Sequence, residues 1–168
     1  MKKISLIYSF NSNKTSKIAD RIKEALGDSP VELINAETIT EEEFLRNDNL
    51  ILGVPTWFDG ELPNYWDEFG PIIEELKLKG KTFALYGLGD QKGYAENFLD
   101  AMGLMAELLE KGGAKLVGVT STDGYKFEKS KATRDGKFLG LGIDFENQAT
   151  LNSNRVKNWV TQLKKEFK

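Results

Sequence analysis

Apolar positions recur along this chain at two periods, and the period switches from one segment to the next. Residues 4–8 form a short, mostly apolar run of strand formers. Thr15, Ile18, Ala19, Ile22, Ala25 and Leu26 then recur at helical spacing, and Gly27 closes that pattern. Residues 31–34 read as a second short strand. Residues 40–46 predict a short surface helix, with Thr40 as its N-cap and Glu43 at the capping-box spacing. Residues 50–54 are a third strand, nearly all apolar, which suits a parallel sheet covered on both faces. Residues 62–76 predict a helix with Pro63 in its first turn, and Gly70-Pro71 is expected to kink or interrupt it. Residues 82–86 are a fourth strand.

Ala95, Phe98, Leu99, Met102, Met105, Ala106 and Leu109 then form the apolar stripe of a further helix, closed by Gly112-Gly113. Residues 115–119 start a fifth strand, a glycine-rich, charged stretch at 121–138 interrupts it, and residues 139–143 resume it. Val156, Trp159, Val160, Leu163 and Phe167 mark the last amphipathic helix. Strands alternating with helices predict an α/β domain with a parallel sheet. Ligands of such sheets bind beyond the carboxyl ends of the strands, at the topological switch point. The loops to inspect therefore follow strands one, three and four.

The length of 168 residues suits a single domain, 1–168. Composition narrows the chemistry further. The chain has no cysteine and no histidine, which removes thiol nucleophiles, imidazole bases and cysteine or histidine metal ligation. Redox chemistry here would have to come from an organic cofactor. A net charge of −3 argues against nucleic acid as a partner. No apolar run approaches the ~20 residues of a membrane span, and the first residues are too quickly polar for a signal peptide. A cytoplasmic location is expected.

The first loop, Ser9-Phe10-Asn11-Ser12-Asn13-Lys14-Thr15, runs directly into a helix, whose N-terminus offers free N–H groups to an anion. Its hydroxyls and amides suit a phosphate, and the same residue types also make ordinary caps and turns. Asn13-Lys14-Thr15 resembles the end of a nucleotide-hydrolase P-loop, but the required glycines are absent, as is an acidic residue ending strand three. The third strand runs into Pro55-Thr56-Trp57-Phe58-Asp59-Gly60. Trp57 suits stacking on a flat ligand, or folding back onto the core edge. Trp66 is assigned to the core. The fourth strand runs into Gly87-Leu88-Gly89-Asp90, with Tyr94 and Asn97 beyond, where glycines admit close backbone approach. Together the three loops specify a ligand with a phosphate at one end and a flat ring at the other.

These motifs, in this order and spacing, resemble those of the flavodoxins of the long-chain type over essentially the whole chain. The most specific are Pro55-Thr56-Trp57 with Gly60-Glu61-Leu62, and Gly89-Asp90-Gln91 with Gly93-Tyr94-Ala95 and Asn97-Phe98. Ser121-Thr122-Asp123-Gly124-Tyr125 and Gly136-Lys137-Phe138 resemble the insertion, here about 121–138, that splits strand five in long-chain members. The resemblance implies a doubly wound, five-stranded parallel sheet of order 2-1-3-4-5, with helices on both faces. It also implies a cytoplasmic, monomeric electron carrier with non-covalently bound FMN, without substrate turnover of its own.

Residue roles follow from the same resemblance. Asn11, Ser12, Asn13, Lys14 and Thr15 would hold the phosphate, with Thr56 closing the pocket; Ser9, Phe10 and Pro55 count with them as cofactor-binding, the Phe10 ring covering the phosphate pocket or contacting a partner. Trp57 and Tyr94 would sandwich the ring. Backbone of Phe58, Asp59 and Gly60 would lie near the reactive ring nitrogen, and Leu88, Gly89 and Asp90 at the pyrimidine edge with Asn97 nearby. Two positions depart from the family's first motif: Phe10 replaces a hydroxyl and Asn13 replaces a glycine. The Phe58–Asp59 peptide is expected to turn its carbonyl toward the ring nitrogen on reduction, which asks for positive φ at Asp59.

Redox partner proteins would dock at the exposed ring edge, steered by an acidic rim of Asp59, Glu61, Asp67, Glu68, Asp90 and Glu96. The alternative is a quinone or nitro reductase using NAD(P)H directly, against which Trp57 and Tyr94 would block both ring faces. A phospho-receiver of the same sheet order would need acidic residues where Ser9-Phe10 and Pro55-Thr56 stand.

Overall fold

A computed structural model describes residues 1–168. In chain order the elements are β1 Ile4–Tyr8, α1 Asn13–Leu26, β2 Val31–Asn35, α2 Glu41–Leu45, β3 Asn49–Pro55, α3 Asn64–Glu75, β4 Thr82–Leu88 and α4 Asp100–Lys111. Short strands follow: β5 Lys115–Leu116, β6 Thr120–Ser121, β7 Thr133–Arg134, β8 Lys137–Phe138 and β9 Leu141–Ile143. The chain ends with α5 Phe145–Gln148, a 3-10 turn at Ala149–Leu151, and α6 Asn152–Glu166.

The main sheet is parallel, in the order β2-β1-β3-β4-β5, as expected for the doubly wound class. β9 also pairs in parallel with β4, Tyr86 opposite Leu141 and Leu88 opposite Ile143. β5 meets the amino end of β4 and β9 its carboxyl end. Between them, β6, β8 and β7 form a small antiparallel sheet.

Side chains alternate across a strand, so each central strand feeds two cores. Leu50, Leu52 and Val54 face α3 and α4, where they join Phe69, Ile73, Met102, Met105 and Leu109. Ile51 points the other way, toward α1 and α6, with Ile18, Ile22, Val156 and Trp159. Near-continuous apolar strands are the consequence of burial on both sheet faces. The Trp66 indole is fully buried and donates to the Gly53 carbonyl at 3.0 Å, the core role assigned to it.

Three local expectations need correction. α3 runs through Gly70-Pro71 without interruption. Pro71 and Asp67, whose carbonyl loses its helical partner to the proline, are both exposed, so water can take the missing donor's place. The stripe beginning at Ala95 is not helical at its start: α4 begins only at Asp100, after Leu99 in the left-handed region at φ 60°. Fifth-strand pairing covers only Lys115–Leu116 at the first segment and Leu141–Ile143 at the second, shorter than the sequence pattern suggests. The sequence pattern also missed α5, whose N-cap Asp144 accepts from the Asn147 N–H at 3.0 Å.

Candidate functional site

A cavity of about 230 Å³ opens at the carboxyl ends of β1, β3 and β4, lined by Ser12, Lys14, Thr15, Pro55, Thr56, Leu88, Gly89, Asp90, Tyr94, Phe145 and Glu146. Its floor is set by backbone packing. A Cβ on Gly53 would come within 2.9 Å of the Thr15 methyl and 2.5 Å of the Tyr86 hydroxyl, so only glycine lets β3 pass this close to the start of α1. The Tyr86 hydroxyl donates to the Thr15 carbonyl at 3.1 Å, and complete burial pushes its ionisation well above the usual phenol range.

The start of α1 forms an anion seat. Ser12 Oγ and Thr15 Oγ1 share a hydrogen bond of 2.7 Å at the cavity wall. The N–H groups of Asn13, Lys14 and Thr15 have no protein acceptor, because the first turn of a helix has no preceding turn to bond. Three free amides and two hydroxyls at the positive end of a helix fit a phosphate. Thr56 Oγ1 accepts from the Ala101 N–H at 3.2 Å, which leaves its own proton free to donate. The N–H groups of Asp59 and Asp90 also have no acceptor, and they suit the polar edge of a flat ring.

Nine of the residues singled out from the sequence line this cavity; the others are engaged elsewhere. Ser9 is buried and donates to Glu37 at 2.7 Å, and Asn11 Nδ2 donates to the other Glu37 oxygen at 2.7 Å. These bonds, that from Ser9 first, hold the Glu37 carboxyl below the usual carboxylate range. Phe10 is 46 % exposed and packs on Tyr8 with ring centroids 5.0 Å apart; its N–H goes to Asn35 Oδ1. The side chains of Ser9, Phe10 and Asn11 thus brace the outside of the loop rather than the cavity. Asn13 is exposed at the first position of α1.

Trp57 is half-buried and meets Tyr65 edge-on at 6.0 Å, while Tyr94 is 50 % exposed at the cavity wall. Trp57 is not among the lining residues, so the cavity touches one of the two expected ring partners. Phe58, Asp59 and Gly60 lie in a turn closed by Trp57 N–H to Glu61 O at 2.9 Å and Glu61 N–H to Trp57 O at 2.7 Å. Positive φ occurs at Phe58 (48°) and Gly60 (95°), and not at Asp59, where the sequence placed it for the turned peptide. Asn97 does not line the cavity: it lines a neighbouring depression, where its Nδ2 lies 3.4 Å from Asp100 Oδ2.

Asp90 is fixed by its own turn. Its Oδ1 accepts from the N–H groups of Gly93 at 2.8 Å and Lys92 at 3.0 Å, and from Asn147 Nδ2 at 2.8 Å. The Gly93 bond is the chief reason its carboxyl sits below the usual range, with Asn147, Lys92 and the charge of Lys14 assisting against partial desolvation. The cavity therefore carries an anionic wall at working pH.

Sequence reasoning missed the segment after β9. Phe145 and Glu146 line the cavity, Lys14 is paired with Glu146, and its Nζ lies 5.9 Å from the Phe145 ring centre. Buried Asp144 ties this segment to the loop after β4 through Gln91 N–H at 3.1 Å and Gln91 Nε2 at 2.8 Å. The resumption of a strand at 139–143 was the available signal: its carboxyl end belongs to the same sheet edge as the other three loops. Glu37 was missed because it lies beyond the short second strand, whose loop was not inspected.

Comparison with known proteins places the chain in one family. A family profile described as flavodoxin matches residues 6–159. The chain is 42% identical to a flavodoxin of Nostoc sp. over 166 residues, covering 99% of this chain and 98% of the relative. It is 43% identical to a flavodoxin of Synechocystis sp. over 165 residues, covering 98% and 97%. Among solved structures it is similar to Fusobacterium nucleatum flavodoxin bound to flavin mononucleotide, with a TM-score of 0.95, 36% identity and 100% of both chains covered.

Proposed function

The chain belongs to the flavodoxin family, and from that premise we infer that it is an electron-transfer protein working through one non-covalently bound FMN. It carries one electron at a time between redox partner proteins and turns over no substrate of its own. The observation that carries the reading is the anion seat at the start of α1, set beside free amides and Tyr94 on one sheet edge. FMN supplies the electron storage when bound; the chain binds it, orients it and sets the field around it.

In this reading the free amides of Asn13, Lys14 and Thr15 and the hydroxyls of Ser12, Thr15 and Thr56 hold the phosphate. Tyr94 covers one face of the ring and Trp57 the other. The amides of Asp59 and Asp90 meet polar ring atoms. Ser9, Phe10 and Asn11 act indirectly, by fixing the loop against Asn35 and Glu37. The Asp90 carboxylate opposes the build-up of negative charge beside it, which lowers the reduction potential. Direct reduction of quinone or nitro substrates with NAD(P)H is not favoured, since the relatives are flavodoxins.

Partner proteins dock over Phe58, Asp59 and Tyr94, which are exposed next to the cavity. Of the proposed acidic rim, Asp59, Glu61, Asp67, Glu68 and Glu96 are exposed and Asp90 is half-buried. Such a rim steers basic partners, so the transfer rate should fall as salt rises. The docking is transient, the carrier is a monomer, and its location is cytoplasmic. No helix is long and apolar enough to cross a membrane.

The test is titration of the flavin-free chain with FMN, followed by stepwise anaerobic reduction. Quenching of flavin fluorescence and two resolved one-electron steps are expected. Failure to bind FMN, or rapid bleaching by NADPH without a reductase, would overturn the reading.

A further inference from the structure

A second depression, of about 520 Å³, lies between residues 96–100 and the inserted residues 127–133. Asp100 lines it, yet only 2% of Asp100 is exposed. One carboxylate oxygen accepts from the Lys131 N–H at 2.7 Å. The other faces the turn after β3. A Cβ on Gly60 would come within 2.7 Å of Asp100 Oδ2 and 3.2 Å of Asn97 Nδ2. At Gly60 the turn therefore passes close beside the Asp100 side chain, with no room for a side chain between them.

The insertion grips the same support at further points. The Phe98 N–H donates to the Lys129 carbonyl at 3.2 Å, and the N–H groups of Glu128 and Lys129 donate to the Ala95 carbonyl at 2.8 and 3.0 Å. Leu99, fully buried at φ 60°, is held in a conformation that L side chains adopt only under constraint. Apart from the two Trp57–Glu61 backbone bonds that close it, the turn has little else to hold it. Phe58 is 70% exposed at φ 48°, and the N–H groups of residues 58–60 have no acceptor.

We infer that Asp100 is a positioning residue through which inserted residues 128–131 fix the Phe58–Gly60 turn, and with it the redox behaviour of the cofactor beside that turn. The redox half rests on the FMN reading above; the mechanical half does not. The insertion then acts on the site from behind, as a brace under the support of the turn.

Two readouts test this. Amide hydrogen exchange of Trp57 and Glu61, the bonded amides that close the turn, is measured on the flavin-free chain, and the one-electron-reduced fraction at half reduction on the FMN-loaded chain. Asp100→Ala should speed exchange at Trp57 and Glu61, whose N–H groups bond each other's carbonyls across the turn, roughly 10-fold while β1 and β3 keep their protection. It should also change the one-electron-reduced fraction. Asp100→Asn keeps an oxygen for Lys131 and should restore most of both, and it remains informative if the alanine variant folds poorly. Lys131→Pro removes the insertion's donor without touching the turn. It should reproduce the loss seen in Asp100→Ala, and the double variant should add nothing to either single one.

If Asp100→Ala lowers overall stability but leaves turn protection and the one-electron fraction unchanged, Asp100 is a helix-start residue and the inference falls. If Lys131→Pro leaves the turn protected, the insertion has no part in it. If the chain fails to bind FMN, the redox half falls with the function reading, while exchange still decides the coupling.

Discussion

Removing the Asp144 carboxylate should damage both stability and cofactor binding, because it joins two walls of the site. Asp144 is fully buried at the end of β9. Its Oδ2 accepts from Gln91 N–H at 3.1 Å, Gln91 Nε2 at 2.8 Å and Asn147 Nδ2 at 2.9 Å, and its Oδ1 from Asn147 N–H at 3.0 Å. Asp144→Ala strands these four donors. A buried donor left unsatisfied costs about 1–3 kcal/mol. Gln91 is buried and bears the full penalty, while half-buried Asn147 can turn toward water. The expected loss is therefore about 3–5 kcal/mol, at the upper end for a single substitution. Asp144→Asn keeps one oxygen, which belongs at the Oδ2 position, where three donors converge. The cost is then mainly the lost cap of α5, about 1–2 kcal/mol.

Urea unfolding of the flavin-free chain reads both numbers as a lower midpoint at unchanged slope. Asn147 also donates to Asp90 at the cavity wall, so FMN affinity should fall as well, by about 10-fold or more for Asp144→Ala, equivalent to roughly 1.4 kcal/mol. A cost below about 1 kcal/mol, or unchanged FMN affinity, would refute the reasoning that this carboxylate holds the segment after β9 in place.

Other substitutions separate the remaining contributions. Phe58→Gly should stabilise the flavin-free chain by about 0.5–1 kcal/mol in thermal unfolding, because it releases a left-handed backbone while surrendering little buried area. Glu146→Gln frees Lys14 and removes a negative charge from the cavity wall, so FMN should bind about 2- to 5-fold tighter in a fluorescence titration at low salt, with the gain shrinking as salt rises. The carboxyls of Glu37 and Asp90 are depressed in the folded chain, so their contribution is present above the unfolded carboxylate values near ~4 and lost as pH falls through the folded ones. Acid unfolding curves of Glu37→Gln should accordingly be shallower than those of the parent. Burial pushes the Tyr125 hydroxyl up to about 12, with nearby Arg155 opposing the shift. Its contribution is complete below the unfolded value near ~10 and is lost as pH rises toward the folded one, so Tyr125→Phe should flatten the alkaline limb of the stability profile.

The strands and their order were legible because burial on both faces leaves a direct trace: strands of nearly unbroken apolar residues, separated by helices with one apolar stripe. That trace weakens wherever position is decided by a remote segment. The stripe from Ala95 to Leu109 keeps helical spacing, yet its first third is not helix. Inserted residues 128 and 129 occupy the Ala95 carbonyl, and left-handed Leu99 separates the preceding turns from α4. Nothing at positions 95–99 announces a contact made some thirty residues later.

The site shows the same division. Ser12, Thr15, Thr56, Asp90 and Tyr94 were visible because each follows a strand that the apolar pattern had already located. Ser9 and Asn11 were visible as residues but not in direction: a hydroxyl or amide in a loop serves equally as ligand or brace until Glu37 is brought beside it from the end of β2. Phe145 and Glu146 needed one more step, that the interrupted fifth strand contributes its second piece to the same edge. Leu88 lies opposite Ile143, and the Gly89 N–H donates to the Ile143 carbonyl at 3.0 Å. Continued by two residues, that register puts residues 144–145 level with residues 89–90. An insertion in the middle of a strand thus hides the loop at its far end from a reading that stops where the pattern first breaks, although the sheet makes that loop as close to the ligand as any other.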